Sequence, residues 1–75
     1  MTAVVWSKEH CPQCDKAKQL LTAKGIAYEE RVVGKGYERE DLLAAVPTAK
    51  SVPQVFLDGN LVGGYMELQQ KLTIP

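Results

Sequence analysis

Seventy-five residues, 45% of them hydrophobic and 24% charged, are expected to form one small globular domain over residues 1–75 with a modest core. Nine basic residues against nine acidic ones leave no net charge, which argues against nucleic acid or an anionic membrane as the main partner, since both call for a cationic face. No apolar run approaches the roughly 18 residues of a membrane span, and Met1–Trp6 lacks the basic segment and long apolar stretch of a secretory leader, so a reducing, cytoplasmic setting is expected.

Ala3–Trp6 is a short apolar run with two valines and a tryptophan, which predicts a buried strand. Ser7–His10 is polar and reads as a loop. Pro12 suits the first turn of a helix, where a missing N–H costs nothing. Cys14, Ala17, Leu20 and Leu21 then recur at helical spacing, and Lys24-Gly25 supplies a cation for the dipole's negative end and a C-terminal stop. Ile26, Tyr28, Glu30 and Val32 alternate with their neighbours; with one polar exception this predicts a strand near a sheet edge, parallel to the first in a βαβ unit. Gly34-Lys35-Gly36 reads as a flexible connection, because its GxG lacks the rest of a phosphate loop.

Glu38, Glu40 and Asp41 crowd the start of a second helix. That suits the dipole and reads as a solvated helix start rather than a catalytic carboxylate pair. Leu42, Leu43 and Val46 form its apolar stripe, and Pro47 ends it. Pro53–Leu57 and Leu61–Gly63 flank Asp58-Gly59-Asn60, a hairpin signal. Gly63-Gly64 leads into a last helix over Tyr65–Leu72, with Leu68 and Leu72 one turn apart. The expected order is β-α-β-α-β-β-α, an α/β fold with a four-stranded mixed sheet and helices on both faces.

Cys11-Pro12-Gln13-Cys14 holds the only two cysteines, at the start of the best-defined helix. Cytosolic proteins rarely use disulfides as staples, and a loop this short gains only about 2 kcal/mol of chain-entropy stabilisation. The pair therefore points to thiol–disulfide exchange. The attacking species is the thiolate. At a helix start the free N–H groups of Gln13 and Cys14 and the helix dipole favour the charged form of Cys11. Each pKa unit of depression requires about 1.4 kcal/mol of preferential stabilisation. Position assigns the roles: Cys11 attacks, and Cys14, more buried in the first turn, resolves the mixed disulfide. Lys8 is a candidate for holding anionic substrate. His10 adjoins the nucleophile without being needed as a base. Two thiols and one histidine fall short of the four ligands of a zinc site, so no metal is expected within one chain.

Ser7-Lys8 ahead of CPxC, Ser51-Val52-Pro53-Gln54-Val55-Phe56 in the middle and Gly63-Gly64-Tyr65-Met66-Glu67-Leu68 near the end occur in an order and at spacings that resemble the glutaredoxins. The resemblance runs over nearly the whole chain. It implies a thioredoxin-like fold and reduction of protein disulfides and glutathione mixed disulfides, with glutathione as reducing co-substrate and no tightly bound cofactor. It also implies a cis peptide bond before Pro53 and a tripeptide site. Lys8 and Gln13 would lie beside the glutathione, Val52 would pair with its backbone within the Ser51-Val52-Pro53 segment, and Gly64, Met66 and Glu67 would cradle its γ-glutamyl end. Gln13 stands where many members carry tyrosine, Glu67 where aspartate is usual, and Ser51 where threonine is. By the same resemblance the chain acts as a monomer, with ribonucleotide reductase among the recipients of its electrons. Two alternatives stay open: reduction by thioredoxin reductase instead of glutathione, and a dimer bridging an iron–sulfur cluster through Cys11 and glutathione.

Overall fold

The computed structural model describes residues 1–73; Ile74 and Pro75, the end of the expected 1–75 domain, lie outside the described residues. The elements in chain order are β1 (Thr2–Ser7), α1 (Pro12–Ala23), β2 (Ala27–Val33), β3 (Gly36–Tyr37), α2 (Arg39–Ala45), β4 (Gln54–Leu57), β5 (Asn60–Gly63) and α3 (Tyr65–Thr73). They form a mixed sheet in the order β3-β2-β1-β4-β5. β1 runs parallel to β2 and antiparallel to β4, and β4 and β5 form the expected hairpin.

The sheet has five strands where four were expected. The addition is β3, which lies parallel to β2 with Val32 opposite Gly36 and Val33 opposite Tyr37. The supposed flexible connection is a tight loop: Lys35 N–H donates to the Val32 carbonyl at 3.0 Å, and Gly34 N–H to that of Tyr37 at 2.7 Å. Gly34 and Gly36 both take positive φ there, +94° and +93°. Only glycine adopts that backbone freely. A two-residue strand containing a glycine carries no alternation to read.

Strand alternation divides the core. Ala3, Val5, Val55 and Leu57 point to one face and pack with Ala17 and Leu21 of α1 and Leu68 of α3. Trp6 points to the other face and packs with Leu42 of α2 and with Val46. Helices thus cover both faces, α1 and α3 together on one and α2 on the other.

α1 begins and ends where local chemistry dictates. Cys11 is its N-cap and Pro12 its first residue. At the far end Gly25 N–H reaches the Thr22 carbonyl at 3.0 Å and Ile26 N–H that of Leu21 at 2.9 Å. This is the paired closure that a left-handed residue after a helix allows, and Gly25 supplies it at φ +71°. Ile26 then packs on the cluster that contains Leu21. In α2 the acidic start is used as a cap: Asp41 Oδ2 accepts from Glu38 N–H at 2.7 Å.

Candidate functional site

β1 delivers the chain to the rim of the sheet, and a short loop reverses it into α1. His10 turns the loop with φ +57°, a left-handed conformation uncommon for a residue with a side chain. Cys11, next in sequence, is extended (φ −119°, ψ 96°) and caps the helix with its sulfur. Cys11 and Cys14 are joined as a disulfide with Cα atoms 5.2 Å apart. Cys14 is 1% exposed and Cys11 7%. Both cysteines are thus buried in the disulfide form, Cys14 the more completely.

The Cys14 N–H donates to Cys11 Sγ at 3.2 Å. Of the two amides expected at this sulfur, it is Cys14's that makes the bond. On the opposite side the Val52 carbonyl oxygen lies 3.9 Å from Cys11 Sγ. The Val52–Pro53 peptide bond is cis. The segment that leads into β4 lies against the Cys11 turn although 41 residues separate Val52 from Cys11.

Gly64 sits beside this turn. A Cβ built on it would lie 3.6 Å from the Pro53 carbonyl oxygen and 3.1 Å from Glu67 Oε1. Glu67 folds back across both glycines, and a Cβ on Gly63 would meet its Cγ and Oε1 at 3.1 Å. Gly63 also has φ +123°. The double glycine is what lets this glutamate reach the start of α3, where Oε1 accepts the Gly64 N–H at 2.8 Å. Gly64 N–H and the Glu67 carboxylate, expected to meet the carboxylate and the ammonium of one γ-glutamyl end, here satisfy each other. A ligand that uses either must first displace this bond.

The remaining candidates sit around this centre. Lys8, Ser51 and Val52 line one cleft. The Ser51 carbonyl accepts from Gln54 Nε2 at 2.9 Å. Gln13 and Met66 are exposed, and Met66 is 62% so. Among the described residues no cluster of three or more histidine, cysteine or carboxylate groups is placed to hold a metal ion.

One polar network near the thiols was not anticipated. Ser7, fully buried at the end of β1, donates its hydroxyl to Glu30 Oε2 at 2.7 Å. Lys18 of α1 reaches the same oxygen at 2.8 Å and Asp15 at 3.5 Å. The Lys18 bond, with the Ser7 hydroxyl added, holds the Glu30 carboxyl below its ordinary range. The Glu30 bond in turn raises Lys18. Glu30 was the one polar residue breaking the alternation of β2, and that break was the available signal. Lys18 is one helical turn beyond Cys14, so the network ties α1 to β2 directly below the buried thiol.

Comparison with known proteins follows the same lines. Residues 3–62 match the glutaredoxin family profile. Glutaredoxin 3 of Escherichia coli K12 is 35% identical over 65 residues, covering 85% of this chain and 77% of that protein. The solution structure of reduced E. coli glutaredoxin superposes with a TM-score of 0.78 at 29% identity, over 96% of this chain and 93% of that one. A buckwheat glutaredoxin–glutathione complex superposes at 0.80 with 27% identity, over 93% of this chain and 66% of that one.

Proposed function

The chain belongs to the glutaredoxin family, and we propose that it is a dithiol thiol–disulfide oxidoreductase coupled to glutathione, with Cys11 attacking and Cys14 resolving. The observation that carries this reading is the Cys11 sulfur at the N-cap of α1, bonded to a Cys14 that is more deeply buried. In the reduced protein the Cys14 amide and the dipole of α1 favour the Cys11 thiolate over the thiol.

The thiolate attacks one sulfur of a substrate disulfide. A mixed disulfide forms, and the departing thiolate takes a proton from solvent. Cys14 then loses its proton and attacks Cys11 Sγ, which releases the second substrate thiol and leaves the Cys11–Cys14 disulfide. One glutathione thiolate attacks Cys11 Sγ, freeing Cys14. A second attacks the glutathione sulfur of that mixed disulfide, giving oxidised glutathione and the dithiol.

The tripeptide is taken up by Lys8, Gln13, Ser51, Val52, Pro53, Gly64, Met66 and Glu67. Val52 supplies backbone groups for pairing with an extended ligand. The start of α3 receives the γ-glutamyl end, its N–H groups suiting the carboxylate and Glu67 the ammonium. This assignment is supported by the shared cleft of Lys8, Ser51 and Val52 and by the approach of Gly64 to Pro53. The chain works as one domain and as a cytoplasmic monomer, and ribonucleotide reductase is a recipient of its electrons. Among the described residues no helix is long and apolar enough to cross a membrane.

A pair of coupled assays tests the reading. The oxidised protein is supplied with glutathione and glutathione reductase, then with thioredoxin reductase. Turnover is expected in the first. Turnover only in the second would overturn the choice of donor, and a coloured, cluster-bearing dimer purified without oxygen would overturn the monomeric enzyme.

A further inference from the structure

The cleft that Lys8, Ser51 and Val52 share extends well past them. It holds about 260 Å³ and is rimmed by three cations, Lys8, Arg39 and Lys50. Its floor is apolar, built from Leu42, Leu43 and Ala49. No carboxylate lines it. The ion pairs among the described residues draw on Lys18, Arg31 and Lys35, so none of the three rim cations has an acidic partner there. In a chain with no net charge this is a local concentration of unpaired positive charge. It opens beside Val52, whose carbonyl lies 3.9 Å from Cys11 Sγ.

Glutathione accounts for only the Lys8, Ser51 and Val52 end of such a surface. It carries two carboxylates but no apolar side chain, and nothing in it would cover Leu42 and Leu43. An apolar floor with an unpaired cationic rim fits a peptide segment that brings an apolar side chain and carboxylates together. Resting on the glutaredoxin reading, we propose that this cleft docks the residues flanking the reactive cysteine of a protein disulfide, and that it selects segments combining a leucine-like side chain with acidic residues. Arg39 and Leu43 are then specificity determinants for protein substrates. They lie on α2, outside the residues assigned to the tripeptide.

The test uses the full-length protein, pre-reduced chemically, in single turnover with synthetic disulfide peptides, so that no electron donor is needed. The probes place leucine and glutamate beside the cysteine, or replace leucine by serine, glutamate by glutamine, or glutamate by lysine. A small glutathione mixed disulfide serves as the control. The leucine–glutamate peptide is expected to react fastest, with its advantage fading in high salt as exposed charges are screened. Arg39→Glu is expected to slow that peptide by roughly three- to tenfold, the range for an exposed charge interaction turned repulsive. Leu43→Ser should slow only the leucine-bearing peptides. Both variants should leave the control within about twofold and the alkylation rate of Cys11 unchanged, which verifies an intact site. Equal rates for all peptides would overturn the proposal. So would an equal loss by Arg39→Glu on the control, because the cleft would then belong to the tripeptide. Failure of glutathione coupling would appear in the donor assays and not in this one.

Discussion

A sulfur held by a backbone amide is insensitive to its neighbour's side chain. The bond to Cys11 Sγ comes from the Cys14 N–H, which any residue but proline supplies. Cys14→Ser should therefore leave the reduced Cys11 as readily alkylated as before. The same change should abolish reduction of protein disulfides, which need a resolving thiol, while sparing glutathione mixed disulfides. Rates of alkylation against pH and the two activities check both halves; equal loss of both activities would sink the division of labour. Glu67 is a second residue whose position makes a prediction. Its carboxylate holds the Gly64 N–H at 2.8 Å, and a ligand at that helix start must compete with it. Glu67→Ala removes the competitor and also the proposed ammonium contact. An exposed contact of that kind contributes on the order of 1 kcal/mol. If the contact dominates, KM for a glutathione mixed disulfide rises by about fivefold with kcat little changed. A fall in KM would show instead that Glu67 acts mainly as a cap that keeps glutathione out.

The elements are tied to one another by polar contacts as well as by the core, and the Ser7–Glu30–Lys18 network is the clearest case. In the unfolded chain Glu30 titrates near 4.5, and in the folded protein below it. Its ionised form is thus preferred by the native state. The resulting stabilisation is complete above about pH 4.5 and is lost as the pH falls through the lower folded value. The matching preference for charged Lys18 is complete below its ordinary 10.5 and lost as the pH rises through the higher folded value. Glu30→Gln should cost about 0.5–1.5 kcal/mol at pH 7, given that both partners are partly exposed. The deficit should shrink at pH 3. Urea unfolding at the two pH values checks this, and an undiminished deficit in acid would show that the carboxylate's charge is not what matters. What could be read in advance divides along the same line. α1 was legible because Pro12, the Cys14–Ala17–Leu21 spacing and Gly25 all act within the helix itself. The Glu67–Gly64 bond spans only three residues, yet it was not read in advance, because both groups were assigned to a ligand. The Glu30 network was not legible, since its partners are 23 and 12 residues away and meet only when α1 crosses over to β2. Nor was the cationic cleft, whose Lys8, Arg39 and Lys50 come from three separate segments brought together by the sheet order.

At the scale of the whole molecule, a chain of this size has little stability to lose. By the usual per-residue range a 75-residue domain is stable by roughly 4–11 kcal/mol. Among the described residues its two apolar clusters are unequal: the one between the sheet and α1/α3 has seven buried residues and the one under α2 has three. The larger cluster carries most of the fold, and Leu21, fully buried, lies within it. Truncating such a leucine costs about 2–5 kcal/mol, from lost burial together with the cavity left behind. With an m-value of about 1 kcal/mol/M for a small protein, Leu21→Ala should lower the urea midpoint by roughly 2–5 M, enough to leave a visible unfolded fraction in dilute buffer. Leu61, 48% exposed on the edge strand β5, is the matched control. Leu61→Ala should shift stability by no more than about 0.5 kcal/mol. α1 is also the helix that presents Cys11. Leu21→Ala should therefore raise the reactivity of the buried Cys14 toward alkylation in the reduced protein in step with the unfolded fraction, and urea should raise it further along the same curve. If Cys14 became reactive while the midpoint stayed put, α1 would be detaching alone, and the single core inferred from the packing of α1, α3 and the sheet would have to be divided.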